Sequence, residues 1–196
     1  MSSFGLYFVL GREHILDYKH GYDHILFILA LNVVYLPKDW KKILVLITAF
    51  TIGHSVTLAL ATLRIISFSA EVIEFLIPLT ILCTSIANLF LKESAIDSNR
   101  RVQYNYFLAV VFGLIHGMGF STYLRALLGS HESIITPLLA FNLGLEFGQV
   151  VIVAIFMVTT FIFVRWAGVQ RRDWKMIVSS AIAGMALILI KNSVFW

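Results

Sequence analysis

The stretch HGYDHILF, residues 20–27, sets His20, Asp23 and His24 at the front of an apolar run. His20 and His24 are four residues apart and share one helix face. Asp23, next to His24, is placed either to ligate a metal beside it or to orient its imidazole from behind. His54 lies within TAFTIGHSVTLALA among Thr48, Thr51, Ser55 and Thr57, and His116 within GLIHGMGF. Asn142, Glu146 and Gln149 in FNLGLEFGQ follow an i, i+4, i+7 spacing and form one polar stripe. Imidazole with carboxylate is borderline ligation, suited to Ni, Co, Zn or Fe(II), and the lack of a thiolate cluster argues against Cu(I). A single intramembrane histidine is more often a helix-to-helix hydrogen-bonding partner. His24, His54 and His116 together, with Asp23, favour a shared metal site.

The elements that would position these groups are set by composition. The 196 residues are 59% hydrophobic and only 13% charged, and the mean hydropathy is +0.88. This is the composition of an integral membrane protein rather than a soluble domain. The apolar stretches do not alternate as barrel strands would. Several approach the roughly 20 residues a helix needs to cross about 30 Å of hydrocarbon. The expected architecture is an all-α bundle of six transmembrane helices forming a single domain, 1–196. The spans are 21–36, 41–63, 71–91, 104–125, 134–164 and 174–191. The first is short for a crossing, so the apolar residues 1–10 are expected to pack at the interface beside it. A basic leader and a cleavage site are not evident, so no signal peptide is read there.

Lys38, Lys41, Lys42, Lys92, Arg100, Arg101, Arg165, Arg171, Arg172 and Lys175 fall on one side of this arrangement, and Arg12, Lys19, Arg64, Arg125 and Lys191 on the other. The positive-inside rule puts the richer side in the cytoplasm and both termini outside. Such a bias explains the net charge of +4 without a nucleic-acid partner. The expected location is a bacterial inner membrane, in contact with the lipid bilayer, and self-association is left open. Cys83 is the single cysteine, so no internal disulfide forms, and its mid-span position suits a small core residue.

Helices rise about 1.5 Å per residue and alternate in direction, which sends Asp23, His24, His54, His116 and Glu74 to the outer half of the membrane and Glu146 nearer its middle. Ionisable groups inside hydrocarbon are costly, so each is a site candidate. His14 and Asp17 lie on the outer approach as a relay or as solvated groups, and His131 in the loop GSHES is expected in solvent. Glu71 and Glu74 suit a helix N-terminus, with Glu74 also able to face the cavity. Gly113 and Gly117, and Gly144 and Gly148, are small-xxx-small pairs. They are expected to draw the fourth and fifth spans together and bring His116 near Glu146.

The motifs HGYDHILFILAL, TAFTIGHSVTLALA, FGLIHGMGF and FNLGLEFGQ, in that order, resemble the HupE/UreJ family of small membrane proteins, in the branch whose first helix reads GxDHxLFxLAL. The resemblance is strong over about residues 10–160. It implies a six-helix or similar bundle, associated with hydrogenase and urease maturation, that carries Ni2+ or Co2+. Carried over by position, the metal residues are Asp23, His24, His54 and His116, with Asn142, Glu146 and Gln149 as the stripe of the fifth helix. The family's outer histidine often stands four residues before the glycine of GxDH, whereas His14 precedes Gly21 by seven. His14 and His20 therefore remain alternatives for that position.

The ligand inventory supports two functions of different kinds. One is a divalent transition-metal permease rather than an enzyme, with an outward-facing His/Asp/Glu site. The other is an intramembrane zinc-dependent hydrolase acting on a lipid-like substrate, with Glu146 or Glu74 as general base. A purely structural or accessory metal site is a third. The inner half offers little beyond Asn88 and Thr48, which weighs against transport, and the association with nickel enzymes weighs for it.

Overall fold

A computed structural model describes residues 3–17, 21–92, 96, 98–121, 124 and 134–194. His20, His131, Lys19 and Arg125 lie outside these described residues. Among the described residues every regular element is helical. The helices are α1 (Ser3–Leu16), α2 (Tyr22–Asn32), α3 (Trp40–Thr62), α4 (Ala70–Phe90), α5 (Asn99–Gly119), α6 (Ile135–Phe161) and α7 (Arg171–Ser193). A 3-10 turn, Pro37–Asp39, leads into α3, and a π-helical turn, Ile162–Trp166, extends α6.

Among the described residues four helical stretches are long and apolar enough to cross a membrane: Pro37–Thr62, Ala70–Phe90, Ile135–Trp166 and Arg171–Ser193. This is the signature of an integral membrane protein. α5 falls short of that standard because its first two turns carry Asn99, Arg100, Arg101, Gln103 and Asn105. α2 is apolar but has only 11 residues. Residues 1–10 were expected at the interface, whereas 3–10 belong to α1, a helix packed along α6 and contributing Tyr7 and Ile15 to the core.

The packing is set by glycine. A Cβ on Gly53 would overlap the carbonyl oxygen of Val110, one on Gly113 that of Phe50, and one on Gly117 that of His54. In the other half, a Cβ on Gly11 would overlap the carbonyl of Phe141, one on Gly144 that of Phe8, and one on Gly148 the side chain of Ile15. Contacts advance together along both partners, so α3 runs parallel to α5 and α1 parallel to α6. The expectation that these glycines join the fourth and fifth spans is corrected. Each glycine pair serves a different neighbour, α5 against α3 and α6 against α1. Sequence spacing shows that a face is small but not which helix will fill it.

The relative directions follow from contacts at the two ends. Val34 accepts from Arg171 and Tyr35 Oη accepts from Asn105, which gathers the end of α2 and the starts of α3, α5 and α7. Trp174 Nε1 donates to Thr160 at 3.2 Å, so α6 finishes at this same lower end. At the upper end Ala61, Ala70 and Gly119 line one cavity and Tyr22, Glu74 and Asn192 another. α1 and α2 therefore both descend, α3 climbs, α4 descends, α5 climbs, α6 descends and α7 climbs. Asn88 Nδ2 ties α4 to α2 by donating to the carbonyl of Ala30 at 2.7 Å. The mid-span position of Cys83 suits a core residue, but the side chain is exposed on α4. Its position along the helix was legible and its rotation about the axis was not.

A candidate metal centre of converging imidazoles

Each histidine reaches the centre by a different local route. His54 follows the packing glycine Gly53 by one residue, and the close approach of α5 leaves it fully buried. His116 lies three residues beyond Gly113 on the helix pressed against α3. His24 sits in the first turn of α2 and His14 near the end of α1, so both flank the interruption between those helices.

The four rings gather. His14, His24 and His54 each offer a ligand atom, and these atoms lie within 4.8 Å of one another. The His24 ring is 4.9 Å from His116 and 4.7 Å from His14, in edge-on orientations. The Nε2 atoms of His14, His24, His54 and His116 are all buried and have no hydrogen-bond partner among the described residues. One such buried atom is a cost of roughly 1–3 kcal/mol. Four such atoms in one neighbourhood, three on rings of the 4.8 Å group and one on His116 beside His24, call for an electrophilic partner.

The opposite faces of three rings are held. His24 Nδ1 lies 2.9 Å from Asp23 Oδ1, and the same oxygen accepts from the His24 backbone N–H at 2.8 Å. His54 Nδ1 lies 3.3 Å from Asn142 Oδ1, and His116 Nδ1 donates to the carbonyl of Phe112 at 2.8 Å. A partner of this kind on one ring nitrogen fixes the ring and leaves the other nitrogen free to ligate. Asn142 is itself oriented, its Nδ2 donating to the Leu138 carbonyl at 2.8 Å. Aromatic rings close the surroundings. Phe27 and Phe50 stand 5.2 and 5.4 Å from His116, Phe120 is 4.2 Å from His14, and Phe141 is 6.2 Å from His54. Such a shell excludes water and strengthens electrostatic interactions inside it.

The remaining residues singled out from sequence are placed as follows. Asp23 stands behind His24. Gln149 Oε1 accepts from Thr51 at 3.0 Å, buried about two turns below Asn142. Glu146 accepts from Thr48 at 2.6 Å on the outer side of the α3–α6 contact. Its carboxylate is thereby engaged with α3. Glu74 is exposed at the top of α4 and lines both upper cavities. His14, read from sequence as a relay or a solvated group, brings its ring against His24, His54, Phe120 and Phe141. The signal that could have found it is the repeat of FVLG (8–11) as FTIG (50–53), which marks residues 8–15 as a packing helix. His20 lies outside the described residues.

With this geometry in place, comparison with known protein families matches the chain over residues 1–193 to the family described as HupE / UreJ protein. The chain belongs to the HupE/UreJ family. No curated protein and no solved structure matches it. Membership covers essentially the whole chain, so α1, with His14, lies inside the matched region along with the motifs around His24, His54 and His116.

Proposed function

We propose that the protein binds a divalent transition-metal cation, Ni2+ or Co2+, at the His14–His24–His54–His116 cluster and carries it across a membrane. The observation that supports this reading most is the gathering of four histidine rings whose Nε2 atoms are buried and unpartnered among the described residues, with His14, His24 and His54 offering ligand atoms within 4.8 Å of one another and His116 packed beside them against His24. Neutral imidazoles suit borderline cations such as these, while harder ions prefer oxygen. Family membership agrees, since the HupE/UreJ resemblance implies nickel or cobalt handling. In this reading α1 and α2 together make one interrupted crossing, giving six with α3 to α7. The upper end faces outside and both termini lie there, because Lys38, Lys41, Lys42, Arg171, Arg172 and Lys175 collect at the lower end. Asp23, Asn142 and the Phe112 carbonyl orient the ligands, and Gln149 with Thr51 continues the polar lining below them.

The descending pair α1/α6 and the ascending pair α3/α5 use the same glycine contacts, and the imidazoles come from both pairs and from α2 between them. The zinc-hydrolase reading has weaker support. A hydrolase needs a general base beside the metal-bound water. Asp23 is engaged with His24 and Glu146 with Thr48, and no carboxylate joins the 4.8 Å group among the described residues.

The test is metal analysis of the purified protein combined with uptake of radioactive nickel and cobalt into vesicles holding wild type or His54→Ala. One bound Ni or Co per chain with His54-dependent uptake is the expected result. Tightly bound zinc without flux would overturn transport in favour of the hydrolase.

A further inference from the structure

The histidine cluster is buried, so an ion must reach it by some route, and among the described residues two cavities open at the upper end. The first is a cavity of about 110 Å³ between the end of α3, the start of α4 and the end of α5. Its lining includes Ala61, Ser67, Ile73, Glu74, Met118 and Ser121. The second is a crevice of about 250 Å³ between α2, α4 and α7, lined by Tyr22, Asp23, Glu74, Pro78, Asn192 and Ser193 among others.

Resting on the metal-binding reading above, we infer that the α2–α4–α7 crevice is the route by which the hydrated divalent cation reaches the histidines, with Glu74 and Asn192 at its mouth and Asp23 at its inner wall. Asp23 carries the inference furthest, because it belongs to both places. Its side chain keeps 23% exposure and lines the crevice, while its Oδ1 holds the Nδ1 of His24, whose side chain is only 7% exposed. A cation at Asp23 is thus one residue from an unpartnered, buried Nε2.

The crevice chemistry suits an ion that still carries water. Its polar groups are oxygen-rich: two carboxylates, a phenol, an amide and a hydroxyl. Pro78 adds another oxygen, because it has no N–H to give the carbonyl of Glu74 four residues earlier in the same helix. That carbonyl and the Glu74 carboxylate belong to one residue on the crevice wall. Oxygen donors hold a hydrated cation weakly, and the imidazoles beyond hold the dehydrated ion more firmly. Weak capture followed by tighter binding favours passage over trapping at the mouth.

The experiment measures the rate at which Co2+ loads the full-length protein in detergent, followed by the visible absorption that cobalt acquires in a nitrogen-ligand site. Changing a charge at a mouth alters association more than final affinity. Glu74→Gln and Asn192→Arg are expected to slow loading about three- to tenfold, and Asn192→Asp to speed it, with unchanged final stoichiometry and spectrum. Ser67→Arg, in the other cavity, is expected to leave the rate unchanged. Slowing by Ser67→Arg with none by Asn192→Arg would overturn the inference and move the route between α3, α4 and α5. Equal rates in all variants would also overturn it while leaving the histidine site intact. Wild-type protein that takes up no cobalt would instead remove the metal-binding reading itself.

Discussion

The pairs α1/α6 and α3/α5 share one packing solution and differ in everything it carries. In each, a glycine on one helix seats against a carbonyl three residues before a glycine on the other: Gly11 with Phe141 and Gly144, and Gly53 with Val110 and Gly113. Gly148 and Gly117 repeat the contact one turn on, against Ile15 and Thr57 respectively. α3 is a long apolar span, whereas α1 has 14 residues with Arg12, Glu13 and His14 in its second half. The ligands occupy different registers as well. His54 corresponds to Arg12, and His116 corresponds to Phe147. His14 corresponds to Val56, and Asn142 to Val111. Backbone geometry is common to both pairs, and the chemistry was distributed over it without symmetry. The lesson is that the glycine contacts make the scaffold, and a single site between the two pairs receives imidazoles from both.

The comparison is broken most severely at the glycines. Gly11→Leu and Gly53→Leu each place a side chain against backbone that cannot move aside, and each is expected to cost about 3 kcal/mol or more, beyond the usual range for overpacking. Thermal unfolding in detergent would show both losing folded protein alike. A tolerated Gly11→Leu beside a disabled Gly53→Leu would mean that α1 is an appendage and the pairs are not equivalent.

A smaller, sharper effect is expected from the ligands. His14→Ala and His54→Ala are expected to weaken Co2+ or Ni2+ binding by similar factors, each exceeding the roughly 10- to 100-fold typical of losing a supporting hydrogen bond. Equilibrium dialysis would measure it. A His14→Ala protein with wild-type affinity would confine the site to α2, α3 and α5.

The smallest effects separate the members of the α6 stripe. Asn142→Ala frees the His54 ring and is expected to cost affinity about 10-fold or more. Glu146→Gln keeps an acceptor for Thr48 and is expected to change affinity less than about twofold, because the two sites share no partner. The same dialysis compares them, and a large effect of Glu146→Gln would return that carboxylate to the site.

The helical class, the membrane character, the family and three of the four converging histidines were legible in the sequence. Long apolar runs can only be satisfied as helices in lipid, and ionisable residues inside them are too costly to be incidental. Four features were decided by tertiary structure. The glycine pairs chose α3 and α1 as partners, Glu146 turned to Thr48, Cys83 faced outward, and His14 swung into the cluster from a helix that composition alone placed at the interface. Periodicity fixes which residues share a helix face, but neither the rotation of that face nor the neighbour it meets. Those depend on the joint packing of all the helices, which is where imidazoles from α1, α2, α3 and α5 come to lie side by side.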